Sequence, residues 1–293
     1  MFPYIEICLT CLSASLGKST LEKIVPHFLT LHRDPQEAPL RPHILTGLST
    51  VVEAVLTSVP SLTPDTEPPL APYKDDLLAT FLSGLNQSAT SQASVDGLQN
   101  LVQIKKLLST EELGFVVHNV SEHLFSSEAD LLALLNTITG VSPTPVEEVA
   151  LPVMVKQLPD QPPTKEDTKA QARITSALAA LRTVCVNPVL FEKLVIRLST
   201  KIDLVAMAEG TGDMASAYIR MMLSTISGLL TEKLEKGHAD VAKYVEGLVP
   251  TLYYLFLRKA GEEEDVKGVK LDVKVVDDAA EIISLVISAL PAE

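Results

Sequence analysis

Between Thr144 and Val205 the chain opens one helix after another, and that succession limits what it can fold into. Thr144 reads as an N-cap, with Pro145 at the first helical position and Glu147 three residues on. Thr164 with Asp167 repeats the device, and so does Asn187 with Pro188. LPDQPP (residues 158–163) separates the first two helices, because proline lacks the N–H a helix interior needs and restricts the residue before it. No strand-like stretch intervenes.

The same grammar runs along the chain. Helices are expected over 3–16, 19–32 (opened by Ser19…Glu22), 41–58, 73–86 and 92–107. Ser109…Glu112 opens a helix whose Leu113, Val116, Val117, Val120 and Leu124 fall at helical spacing, and Ser127…Asp130 opens the next. Beyond the three-helix stretch come helices over 213–234, 238–258 and 277–290, the last after the acidic break GEEED. Starts at Ser109, Ser127, Thr144 and Thr164 recur about every 17–20 residues, so two helices per unit repeat every ~35–40, the range of HEAT and armadillo arrays. The expected fold is therefore all-α, a HEAT/armadillo-type solenoid of antiparallel helix pairs, with an irregular α-bundle as the alternative. Residues 1–140 are read as N-terminal repeats with a proline-rich linker near 60–72. Residues 141–260 form central repeats, and 261–293 the acidic break and last helix of an incomplete array.

Composition supports this. Thirteen glycines in 293 residues are few for a turn-rich β fold, and the 19 prolines cluster between apolar-periodic segments. A net charge of −13 argues against direct nucleic-acid binding, since phosphate would be repelled over most of the surface. Three cysteines make no disulfide framework and fit a reducing compartment. No apolar run reaches the roughly 18 residues of a membrane span, and the N-terminus lacks the basic region of a signal peptide. The sequons at Asn86 and Asn119 accordingly carry no expectation of glycosylation.

Several patterns imitate chemistry. Cys8 and Cys11 with His27 and His32 have loose zinc-finger spacing, but the cysteines lie in an apolar helical run, and histidines five apart on a helix diverge. Gly17-Lys-Ser-Thr20 resembles the end of a P-loop, yet Leu12 stands where that motif needs glycine and no strand precedes it. Gly210-Thr-Gly212 lacks a third glycine. Acidic pairs such as Asp75-Asp76, Glu147-Glu148 and Asp277-Asp278 sit near expected helix N-termini, where they complement the dipole. No catalytic, cofactor-binding or metal-binding residues are assigned. Lys165, Lys169 and Arg173, four residues apart along one expected helix of an acidic chain, form a basic stripe read as a candidate contact with an acidic partner.

Two phrases in the opening stretch carry a resemblance: Val149–Asp160 (VALPVMVKQLPD) and Leu190–Asp203 (LFEKLVIRLSTKID). Together with YKDDLL from Tyr73, LLSTEELG from Leu107 and VVHNVSEHL from Val116, they resemble the Mms-nineteen family over residues 40–260, its fungal branch above all. Proteins of that family are HEAT-repeat adapters of cytosolic iron–sulfur protein assembly. The resemblance implies a non-enzymatic scaffold, with no cofactor of its own, in a targeting complex with a β-propeller subunit and a small partner subunit. It would recruit apo iron–sulfur clients (helicases, polymerases, primases) for [4Fe–4S] insertion, in nucleus and cytoplasm, and through them support DNA repair and transcription. It also implies that the chain is an interior portion, without the C-terminal repeats that dock the other subunits. An importin-like or trafficking adaptor on the same repeat is the second reading, and a helical enzyme the third.

Overall fold

The computed structural model describes residues 18–58, 67–126, 129–207, 212–257 and 272–290. The expected helix 3–16, Cys8, Cys11, Gly17, Ser127 and most of the 60–72 linker lie outside them. Every regular element among the described residues is helical.

The chain divides into two compact units, residues 1–150 and 151–293. The first holds α1 (Lys18–Arg33), α2 (Arg41–Ser58), α3 (Lys74–Gly84), α4 (Ser88–Gln103), α5 (Thr110–His123) and α6 (Leu131–Val141), then a helical run that passes through a π-helical turn at Val146–Ala150. The second holds α7 (Leu151–Lys156), α8 (Thr168–Val184), α9 (Pro188–Met207), α10 (Gly212–Glu235), α11 (Leu248–Leu252) and α12 (Val273–Ser288). Within each unit helices pack in consecutive pairs (α1 with α2, α3 with α4, α5 with α6, α7 with α8, α9 with α10, α11 with α12) and for the most part on the next but one. α2, α4 and α6 form one row and α1 packs on α3; in the second unit α8, α10 and α12 form one row and α7, α9 and α11 the other. This is the layered pairing of an α-solenoid of HEAT/armadillo type.

Periodicity explains the packing. In α2, Ile44, Leu45, Leu48, Val51, Val52 and Val55 are buried, and α4, which packs against it, buries Val95, Leu98, Leu101 and Val102. Ser109 and Glu112 make the full reciprocal box, with Glu112 N–H donating to Ser109 Oγ (3.2 Å) and Ser109 N–H to Glu112 (2.7 Å). Asn187 caps α9 through Val189 N–H (3.0 Å) with Pro188 at the first position, as expected.

Elsewhere the starts shift. α8 is capped by Asp167, which accepts from Ala170 N–H at 2.9 Å, and α6 by Asp130, which accepts from Ala133 N–H at 3.0 Å. The carboxylate expected at the third helical position is itself the cap in both cases. Ser142, with Pro143 following, stands where Thr144 and Pro145 were expected. The true caps at 109, 130, 142 and 167 are unevenly spaced, so the repeat lies in the packing rows more than in the intervals. The expected helix 238–258 breaks into a 3-10 segment (Ala239–Val245), α11 and a π-helical turn (Tyr253–Leu257). PQEAPL, in the gap between the expected helices 19–32 and 41–58, is a 3-10 helix capped by Asp34. The PDQPP break is held in place: Tyr218 Oη donates to Pro159 O (2.8 Å) and Lys201 pairs with Asp160 (2.6 Å).

One glycine in α10 gives a cheap test of this packing. A Cβ at Gly228 would fall 2.7 Å from the Arg182 guanidinium carbon. Arg182 is exposed and can swing aside. Alanine returns up to about 1 kcal/mol of helix propensity. Gly228→Ala is therefore expected to leave thermal stability unchanged or slightly raised, and a clear fall in Tm would show that Arg182 is held.

Candidate functional site in the second unit

The second unit contains a groove of about 430 Å³ between α9 and the 239–252 segment. Val195, Tyr244 and Leu248 line its apolar wall, and Ile196, 56% exposed, stands at its edge. Val189, seven residues before Ile196 on α9, is exposed on the same face. Glu192 and Lys243 also line the groove and pair at 2.6 Å, and the ammonium holds the Glu192 carboxyl below its ordinary range. A concavity of this volume and lining can seat a small ligand or a few side chains.

Beneath it lies a polar cluster that begins in the backbone. α10 ends in a Schellman turn: Gly237, at φ +68°, donates to Leu234 O (3.0 Å), and His238 N–H donates to Lys233 O (2.9 Å). The turn folds His238 and Asp240 back over Lys233, which is fully buried. Lys233 Nζ donates to Val186 O (3.1 Å), lies 3.3 Å from His238 Nδ1 and 3.0 Å from Asp240 Oδ2, and faces the Phe191 ring at 5.3 Å. The Asp240 contact is an ion pair without hydrogen-bond alignment. Phe191 meets Tyr244 edge-on at 5.0 Å. Tyr244 Oη is buried without a hydrogen-bond partner; burial first, then Asp240 and Glu192, hold the phenol protonated. With its ammonium surrounded this way, Lys233 joins α10, the end of α8 and the 3-10 segment, and it has no room to attack a substrate.

Lys233 was not among the candidate residues, although its position carries a signal. It stands at helical spacing from Ile226, Leu229 and Leu230, on the apolar face of α10. The basic stripe is only partly assembled. Lys169 and Arg173 lie exposed on α8, while Lys165 falls in the turn before Asp167, off the helix. None of the three makes an ion pair among the described residues. Cys185 is buried, and burial pushes its thiol up to about 12, which withholds the thiolate that a nucleophile or ligand needs. Among the described residues no group of three or more His, Cys, Asp or Glu is arranged to hold a metal ion, and no helix is long and apolar enough to cross a membrane.

The groove, the cluster and the end of α8 all fall within one match to known proteins. The MMS19_C family model, described as RNAPII transcription regulator C-terminal, matches residues 177–293. Residues 177–293 are Mms-nineteen-like. Of the two phrases carrying the sequence resemblance, Leu190–Asp203 lies inside the match and Val149–Asp160 outside it. The chain was expected to represent the family's interior, whereas the matching Mms-nineteen model is described as C-terminal. Curated protein sequences give no match. Among solved structures, a chain from a study of Kap95p binding to RanGDP, concerned with nuclear import complex assembly, aligns over 97% of this chain at 12% identity and TM-score 0.37. This chain spans 43% of that chain's length. An engineered protein aligns over 97% of this chain and 86% of its own at 12% identity and TM-score 0.32.

Proposed function

We propose that the chain belongs to a non-enzymatic adapter of the Mms-nineteen family, which carries apo-proteins of DNA metabolism to the cytosolic machinery for [4Fe–4S] cluster insertion. The observation that carries this reading is the family match over residues 177–293, which includes the phrase Leu190–Asp203. The groove of α9 lies in the same residues, and its apolar wall with a paired charge suits a protein surface. A net charge of −13 favours protein partners over nucleic acid. The β-propeller and small subunits of the targeting complex, and client helicases, polymerases and primases, are the proposed partners, met in cytoplasm and nucleus.

Affinity purification of the full-length gene product tests the reading. Recovery of the assembly subunits and apo iron–sulfur proteins supports it; a transport cargo with a small GTPase in their place overturns it in favour of an importin-like adaptor. The basic residues give a finer test. Reversing Lys165, Lys169 and Arg173 to Glu is expected to cut partner recovery several-fold. Acidic residues near the start of α8 complement its dipole, so the fold should tolerate the change. Undiminished recovery would retire these residues as a contact.

A further inference from the structure

The first unit contains a second cavity, of about 280 Å³, where four helix ends meet. His32 and Arg33 come from the end of α1, Arg41 from the start of α2, Gly84 from the end of α3, and Gln87 and Thr90 from the start of α4. Two of these ends are C-termini, whose carbonyls would repel an anion, but carbonyls there are already occupied: Arg41 Nε donates to His32 O (3.3 Å) and Thr90 Oγ1 to Gly84 O (2.6 Å). The cationic groups remain. Arg41 makes no ion pair among the described residues, so its two Nη groups are available. Arg33 pairs with Asp76 through one Nη. The N-cap of α4, Gln87, makes no side-chain cap, and the first turn holds no acidic residue, so the positive end of that helix is uncompensated. Of the nearby acids, Asp34 is turned to Gln36 N–H (2.9 Å) and Asp76 to Arg33.

We propose that this cavity binds a phosphorylated serine or threonine side chain of a partner protein. Guanidinium forks beside the positive end of a helix match a tetrahedral oxyanion. At about 30 Å³ per water, the volume exceeds a lone ion and leaves room for the side chain that carries the phosphoryl group. The net charge of the chain opposes an anion, but salt screens it beyond about 8 Å, so the arginines beside the cavity prevail. This site is independent of the adapter reading, which rests on the other unit.

His32 reports occupancy. Burial first, then Arg41 and Arg33, hold its imidazole below the ordinary value, so it is neutral in the empty site. A phosphoryl dianion beside it reverses the local field and raises that pKa. Occupancy is therefore read at the His32 ring. The experiment is an NMR titration of the His32 imidazole in the full chain at constant ionic strength. The probes are a blocked Gly-phosphoserine-Gly peptide, its unphosphorylated form and sodium phosphate. The expected result is a saturable His32 shift with the phosphopeptide only, or more tightly with it than with free phosphate. Arg41→Gln and Gln87→Glu should each weaken binding about tenfold or more. Gln87→Glu adds a charge that complements the α4 dipole, so it repels the ligand without unfolding the helix. No shift with the phosphopeptide, an equal shift with the unphosphorylated peptide, a response to free phosphate alone, or unchanged affinity in both variants would each overturn the proposal.

Discussion

Lys233→Met is expected to be among the most damaging single changes in the second unit, lowering stability by about 3 kcal/mol and Tm by roughly 10 °C. Methionine fills much of the volume, so the cost is electrostatic. It leaves Asp240, whose side chain is 17% exposed, without the cation 3.0 Å away, and it strips the donor from Val186 O. Partial exposure of Asp240 keeps the figure at the lower end of the range for a broken buried pair. Adding Asp240→Asn removes the orphaned charge, so the double variant should recover part of the loss, with a coupling of about 1–3 kcal/mol. Thermal and urea denaturation of the four proteins measures this. A cost under about 1 kcal/mol for Lys233→Met, or strict additivity in the cycle, would mean that the cluster is no more than well-filled space.

Gly97→Ala is the counterpart in the first unit. An added Cβ would lie 2.3 and 2.4 Å from Cε1 and Cζ of Phe81, far inside the ~3.5–4 Å of a carbon–carbon contact. Phe81 is fully buried and cannot swing out as Arg182 can. Overpacking of this kind costs up to about 3 kcal/mol and the propensity of alanine returns about 1, for a net loss of about 2 kcal/mol. Phe81→Leu should be damaging alone yet should partly rescue Gly97→Ala, because it removes the ring the methyl strikes. If Gly97→Ala behaves like Gly228→Ala in thermal unfolding, α3 and α4 do not approach as closely as described.

The sequence made some of this legible for identifiable reasons. At Ser109…Glu112 the glutamate is long enough to reach back to the cap N–H, so the pattern and the geometry agree. At Thr164…Asp167 the shorter carboxylate serves its own helix start, and the same spacing led three residues astray. The consequence reached the site: with α8 starting at Thr168, Lys165 drops off the stripe. Alternating prolines at 143 and 145 likewise offered two registers for one start. Lys233 was visible as a charge on an apolar face, but its partners come from the end of α8 and from beyond a glycine turn, which no local window joins. Both concavities are assembled from separate elements and leave no motif at all.

The row packing of each unit has a kinetic corollary. Helices that lean on a neighbour one or two places along the chain close only short loops as they assemble, so little chain entropy is spent before contacts form. Each unit should fold fast for its size. Disturbance at one layer, such as a methyl at Gly97, should loosen amide exchange in the adjoining helices and fade within a layer or two.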